Sequence, residues 1–84
     1  MTDIDNINKA VELFFAENPD VSIAKPKDLM PICIRIGMFN KDHRAGLPLR
    51  KILRELDKAG KLHLIPSLEA ERKEKNTYWS FIRK

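Results

Sequence analysis

The sequence predicts an α+β domain made of three helices and a C-terminal β-hairpin. Three observations carry this reading. Apolar residues recur at spacings of three and four in three separate segments, which is the helical period. Two later segments are short and bounded by turn residues, the last of them rich in aromatic and β-branched side chains. All three glycines and most of the five prolines fall between these segments, where the chain must turn.

The first helix is expected from Ile4 to Glu17. Asp3 or Asp5 can cap it, because a short carboxylate accepts the free amide hydrogens of the first turn. Ile4, Ile7, Val11, Phe14 and Phe15 form its apolar stripe, and Leu13 falls on the opposite, exposed side. Asn18-Pro19-Asp20 ends it, since proline cannot continue the hydrogen-bond ladder. Val21-Ser22-Ile23 is compatible with a short strand.

A second helix is expected over 29–36, with Asp28 as its N-cap and Pro31 in the first turn, where a missing amide hydrogen costs little. Gly37 suits the left-handed position that follows a helix. Leu29, Ile32, Cys33 and Ile36 share one face. Met30 and Ile34 lie on another, with Met38 and Phe39 just beyond. A helix apolar on two sides needs cover beyond one core. Either the polar loop over 38–46 folds back on these residues, or Met30, Ile34, Met38 and Phe39 form a dimer interface.

The third helix, Leu47 to Ala59, has the clearest signal. Pro48 sits at its start and Gly60 just past its end. Leu49, Ile52, Leu53, Leu56 and Ala59 make its inner stripe. Lys61 to Ile65 reads as a strand broken by Pro66, and Asn76 to Ile82 as its hairpin partner. The polar segment Ser67 to Lys75 is then the turn of a long hairpin.

The 84 residues suffice for a single domain, 1–84. A hydrophobic share of 43% against 33% charged residues fits a globular chain rather than a disordered one. No stretch approaches the roughly 20 apolar residues of a membrane span, and the first residues lack the pattern of a signal peptide. With one cysteine, Cys33, no internal disulfide can form. The expected location is cytoplasmic, or nuclear in a cell with a nucleus.

Charge is segregated along the chain. Residues 1–20 carry Lys9 against Asp3, Asp5, Glu12, Glu17 and Asp20, a net −4, so residues 21–84 carry +8 of the overall +4. Such an uneven distribution points to a polyanionic partner. The excess is sharpest on the third helix. At about 100° per residue, Arg54 and Lys58 lie opposite its leucine stripe, flanked by Arg50 and Lys51. Arg50, Arg54 and Lys58 form a column at i, i+4 spacing. Like charges so placed destabilise an isolated helix by roughly 0.2–0.5 kcal/mol per pair, so solubility alone is a weak reason for them. Glu55 and Asp57 on the flanks leave the alternative of ordinary surface ion pairs open. Arg44, in the preceding loop, adds one more cation.

The stretch Leu47-Pro48-Leu49-Arg50-Lys51-Ile52-Leu53-Arg54-Glu55-Leu56-Asp57-Lys58-Ala59-Gly60-Lys61-Leu62 resembles the recognition helix of winged helix-turn-helix DNA-binding domains. Asn76-Thr77-Tyr78-Trp79-Ser80-Phe81 looks like that class's second wing strand. The resemblance implies a winged-helix fold over most of the chain, a duplex DNA partner and a role such as a small transcriptional regulator, nucleoid-associated in the cytoplasm. It implies that Arg50, Lys51 and Arg54 enter the major groove, and that Arg72, Lys73 and Lys75 of the wing lie near phosphates.

No metal, cofactor or catalytic set is expected. Cys33, His43 and His63 lack metal-ligand spacing. There is no phosphate-binding glycine loop, nucleophile elbow or acid/base pair. Tyr78 and Trp79 could stack on unpaired bases, but closing the core is the commoner role for such residues. Two alternatives to duplex DNA stay open: RNA, and a homodimeric or protein-binding module without a nucleic-acid role.

Overall fold

In the computed structural model, which describes residues 3–42 and 46–83, three helices pack against a three-stranded antiparallel sheet. The order is α1 (Asp3–Glu17), β1 (Ile23–Ala24), α2 (Pro26–Arg35), α3 (Leu47–Lys58), a 3₁₀ turn (Leu62–Leu64), β2 (Leu68–Arg72) and β3 (Thr77–Ile82). β3 is central, with β1 on one side and β2 on the other. The architecture is α+β, and all three expected helices are present. The short strand near residues 21–23 is shifted to Ile23–Ala24.

The register explains the core. Phe81 lies opposite both Ala24 and Leu68, and Trp79 lies opposite Ala70. Side chains alternate across a strand, so Trp79 and Phe81 face the helices while Tyr78 and Ser80 face away. Phe81, Ile7, Leu29, Met30, Leu49, Leu53 and Cys33 are all but fully buried together. Each large apolar side chain so buried contributes about 1.5–3 kcal/mol. Burial also pushes the Cys33 thiol up to about 11, so it stays protonated and acts as a small hydrophobe.

Several expectations need correction. Asp28 is the third residue of α2, not its cap. Lys25 is the cap residue, its amide donating to Asp28 Oδ2 at 2.9 Å while the Asp28 amide donates back to the Lys25 carbonyl at 2.9 Å. The helix starts earlier because Pro26 supplies the favoured first-turn proline. Pro31 therefore sits in the second turn, tolerated on an exposed side.

Residues 62–64 form a 3₁₀ turn rather than a strand. Leu64 and Ile65 donate to Lys61 and Leu62 at 3.1 and 3.0 Å, which satisfies the backbone locally. Both edges of β3 are already taken, so no sheet edge is left there for Lys61–Ile65 to join. The partner strand is instead Leu68–Arg72, inside the segment expected as turn. Its Leu68 and Ala70 alternate with outward Glu69 and Glu71. The hairpin turn shrinks to 73–76, closed by the Lys73 amide on the Asn76 carbonyl at 2.7 Å.

The surplus apolar patch is covered in part within the chain. Met30 is buried, and Ile34, Met38 and Phe39 are half-buried against the core. Gly37 has φ +86°, and the amides of Gly37 and Met38 donate to the Ile34 and Cys33 carbonyls at 3.0 and 2.9 Å. That turn folds 38–39 back onto α2, so Met30 is covered while Ile34, Met38 and Phe39 each keep part of their surface in solvent. Leu13, expected to be exposed, is likewise half-buried against the core.

Candidate nucleic-acid interface

The orientation of α3 is fixed at its first residue. Gly46 precedes the helix at φ +94°, a conformation most side chains disfavour. A Cβ there would lie 2.8 Å from the Lys27 amide nitrogen. α3 therefore starts in direct backbone contact with the N-terminus of α2. Asp42 Oδ1 accepts the Gly46 amide at 2.8 Å and secures the approach.

Leu49 and Leu53 then point inward with no exposed surface, and Ile52 and Leu56 pack beside them. The same period turns Lys51, Arg54 and Lys58 outward, all exposed. Arg50 is half-buried at the edge of this face. Among the described residues, Lys51, Arg54 and Lys58 make no ion pair. The i, i+3 and i, i+4 partners expected on the helix surface do not form.

The hairpin differs. Arg72 grips Asp57 of α3 with two hydrogen bonds, 2.8 and 2.7 Å long. Lys73 pairs with Glu71 at 2.7 Å. The Arg72 hydrogen bonds hold the Asp57 carboxyl below its ordinary range, and Lys73 does the same to Glu71. The cations are raised in return. Of the three wing cations, only Lys75 is exposed without an ion pair among the described residues. Asp57, a half-buried acid on α3, thus ties the hairpin to the helix and leaves Arg54 unpaired.

Between α3 and the hairpin runs a polar groove of about 590 Å³, lined by Arg50, Arg54, Asp57, Lys75, Asn76 and Tyr78 among others. It meets a smaller depression of about 290 Å³ bounded by Lys25, Pro26 and Lys27. Arg50, Thr77, Tyr78 and Trp79 line both. The result is one cationic trough from the hairpin turn to the N-terminus of α2.

Of the expected site residues, Arg50, Arg54, Lys73 and Lys75 line this trough, Lys51 and Lys58 stand on the α3 surface, and Arg72 is held on Asp57. Arg44 and His43 lie outside the described residues. Sequence reasoning missed Lys25, Lys27, Asn76 and Thr77. A cation on each side of Pro26 was the available signal, but only tertiary contact brings those lysines beside α3. Tyr78 and Trp79 part company: Trp79 is buried, whereas Tyr78 is 51% exposed.

A second concavity, about 630 Å³, opens beside α1 between Val11, Phe15, Leu64, Pro66, Ile82 and Arg83. Its walls are mainly apolar. Its arginine is already engaged, donating to the carbonyls of Val21, Phe15 and Asn18 and lying 4.9 Å from the Phe15 ring centroid. A polyanion has little to hold there. Among the described residues, no group of three or more His, Cys, Asp or Glu converges as a metal site, and no helix is long and apolar enough to cross a membrane.

No protein-family model, curated protein or solved structure matches the chain.

Proposed function

We propose that this chain is a winged-helix domain that binds duplex DNA through the outer face of α3, acting by binding alone, in the manner of a small transcriptional regulator. The observation that carries the reading is the state of the α3 cations. Lys51, Arg54 and Lys58 project from a helix whose other face is locked in the core, and no acidic neighbour among the described residues neutralises them. Cations left unpaired on a helix anchored in the core can neutralise phosphates, and an arginine can also donate two hydrogen bonds to a guanine edge. The element order and the central position of β3 are compatible with a winged-helix layout. The alternative, a dimer built on Met30, Ile34, Met38 and Phe39, has less apolar surface to offer, because Met30 is buried and the other three are partly covered.

The test is a salt titration of binding to random-sequence duplex DNA, repeated with Arg50→Glu/Arg54→Glu. Affinity of the parent should fall linearly on a log–log plot against salt. The double variant should lose binding while its circular dichroism and melting stay those of the parent. Equal affinity of the two proteins would refute the reading.

A further inference from the structure

We infer that the depression between the N-terminus of α2 and β3 seats one unpaired nucleotide next to the duplex on α3, with Tyr78 as its stacking platform. The inference rests on the reading of α3 as a DNA-binding helix and extends it to the kind of DNA preferred, a duplex with a single-stranded extension.

Three observations support it. The first is size. At about 290 Å³ the depression lies at the lower end of small-molecule sites. That is room for a base and not for a double helix. The second is chemistry. Lys25, Lys27 and Arg50 border the depression beside Tyr78. Cations for a phosphate next to an open aromatic face are the two parts of single-strand recognition, which combines backbone neutralisation with base stacking. Tyr78 projects from the sheet side opposite Trp79 and Phe81, where half its surface meets solvent. Lys25 reaches the same side, its Nζ donating to Ser80 Oγ at 3.4 Å. Its charge also acts on Glu71, the cross-strand neighbour of Tyr78, so that Lys27 and Arg50 are the cations nearest the depression that this acid does not engage.

The third is the charge balance of the hairpin. Arg72 and Lys73 are held by Asp57 and Glu71, and Glu74 stands beside Lys75. The hairpin therefore offers little to the backbone of a second duplex strand. The cations that continue the α3 face lie in the other direction, at Lys25 and Lys27. A strand leaving the duplex is flexible enough to turn along them, whereas a duplex is stiff over about 150 base pairs.

The experiment is fluorescence anisotropy with four labelled DNAs: a blunt hairpin duplex, the same hairpin with a three-nucleotide overhang of each polarity, and a single strand of equal length. The overhang is expected to tighten binding about tenfold, toward the lower end of the range for one stacked base. Tyr78→Ala should erase that preference, bringing overhang and blunt duplexes to equal affinity, and Tyr78→Phe should keep it. If blunt and overhang duplexes bind the parent alike, or if Tyr78→Ala weakens both equally, the nucleotide seat is overturned while duplex binding by α3 stands. If single strands bind and blunt duplex does not, the seat stands and duplex binding falls. If no DNA binds, both fall.

Discussion

Helix α3 and the hairpin carry similar numbers of cations, yet the two regions present them differently. On α3, Lys51, Arg54 and Lys58 are exposed and unpaired among the described residues, because each acid near them is turned to a flank or taken by another group. On the hairpin, Arg72 and Lys73 are held by Asp57 and Glu71. A count of basic residues treats the two regions alike. What distinguishes them is which acid the tertiary structure brings within reach, and Asp57 decides the matter by facing the hairpin instead of Arg54.

The comparison breaks most thoroughly if α3 is moved. Gly46→Ala forces a side chain into the left-handed region and against the α2 backbone. A cost of roughly 1–3 kcal/mol is expected, which for a domain of this size lowers the melting temperature by about 5 to 20 °C. Thermal denaturation followed by circular dichroism checks it, and an unchanged melting point would mean that α3 does not need the close approach.

Next in size is the direct contrast between the two regions. Arg54→Ala should weaken duplex binding on the order of tenfold, while Arg72→Ala should change it by less than about twofold. Anisotropy titrations of the two variants side by side decide this; equal losses would mean that the wing arginine is as available as the helical one.

Asp57→Asn sharpens the contrast from the other side. It removes an acid from the trough and releases Arg72, so binding should tighten and the log–log salt slope should steepen by about 1. An unchanged slope would show that Arg72 cannot reach phosphate even when released.

The smallest effect concerns pH. Asp57 titrates below its usual 3.8 because Arg72 donates hydrogen bonds to the carboxylate. A depressed folded value means that the pair contributes above the ordinary aspartate range and is lost only as pH falls through the lowered value. Between pH 8 and pH 5 the hairpin should therefore stay docked. Carboxyl NMR should place the Asp57 midpoint below 3.8 in the parent and return it toward 3.8 in Arg72→Ala.

Much of the helical framework was legible in the sequence, since α1 and α3 declare themselves through local periodicity, proline and glycine. The strands were harder. Lys61–Ile65 has an apolar alternation, but a turn satisfies its backbone before any partner is available. Leu68–Arg72 looked like a polar turn because only Leu68 and Ala70 of its five residues face the core. The α3 cations were legible for the same reason as the leucines, because one period fixes both faces. Lys25 and Lys27 were not, and Tyr78 stood level with Trp79 as a candidate for stacking, because strand alternation and long-range packing decide which of them reaches the site.

The sequence by itself determined that there are three helices, where α1 and α3 lie and which face of α3 is basic, because these follow from interactions within a few residues. Only the tertiary structure decided which cations remain unpaired, that the Met30–Phe39 patch is partly covered within the chain, and that a trough joins α3 to the N-terminus of α2. Those outcomes depend on contacts between residues far apart in the chain: Arg72 on Asp57, Gly46 on Lys27, and β3 between β1 and β2. Local periodicity holds no information about which distant group arrives first.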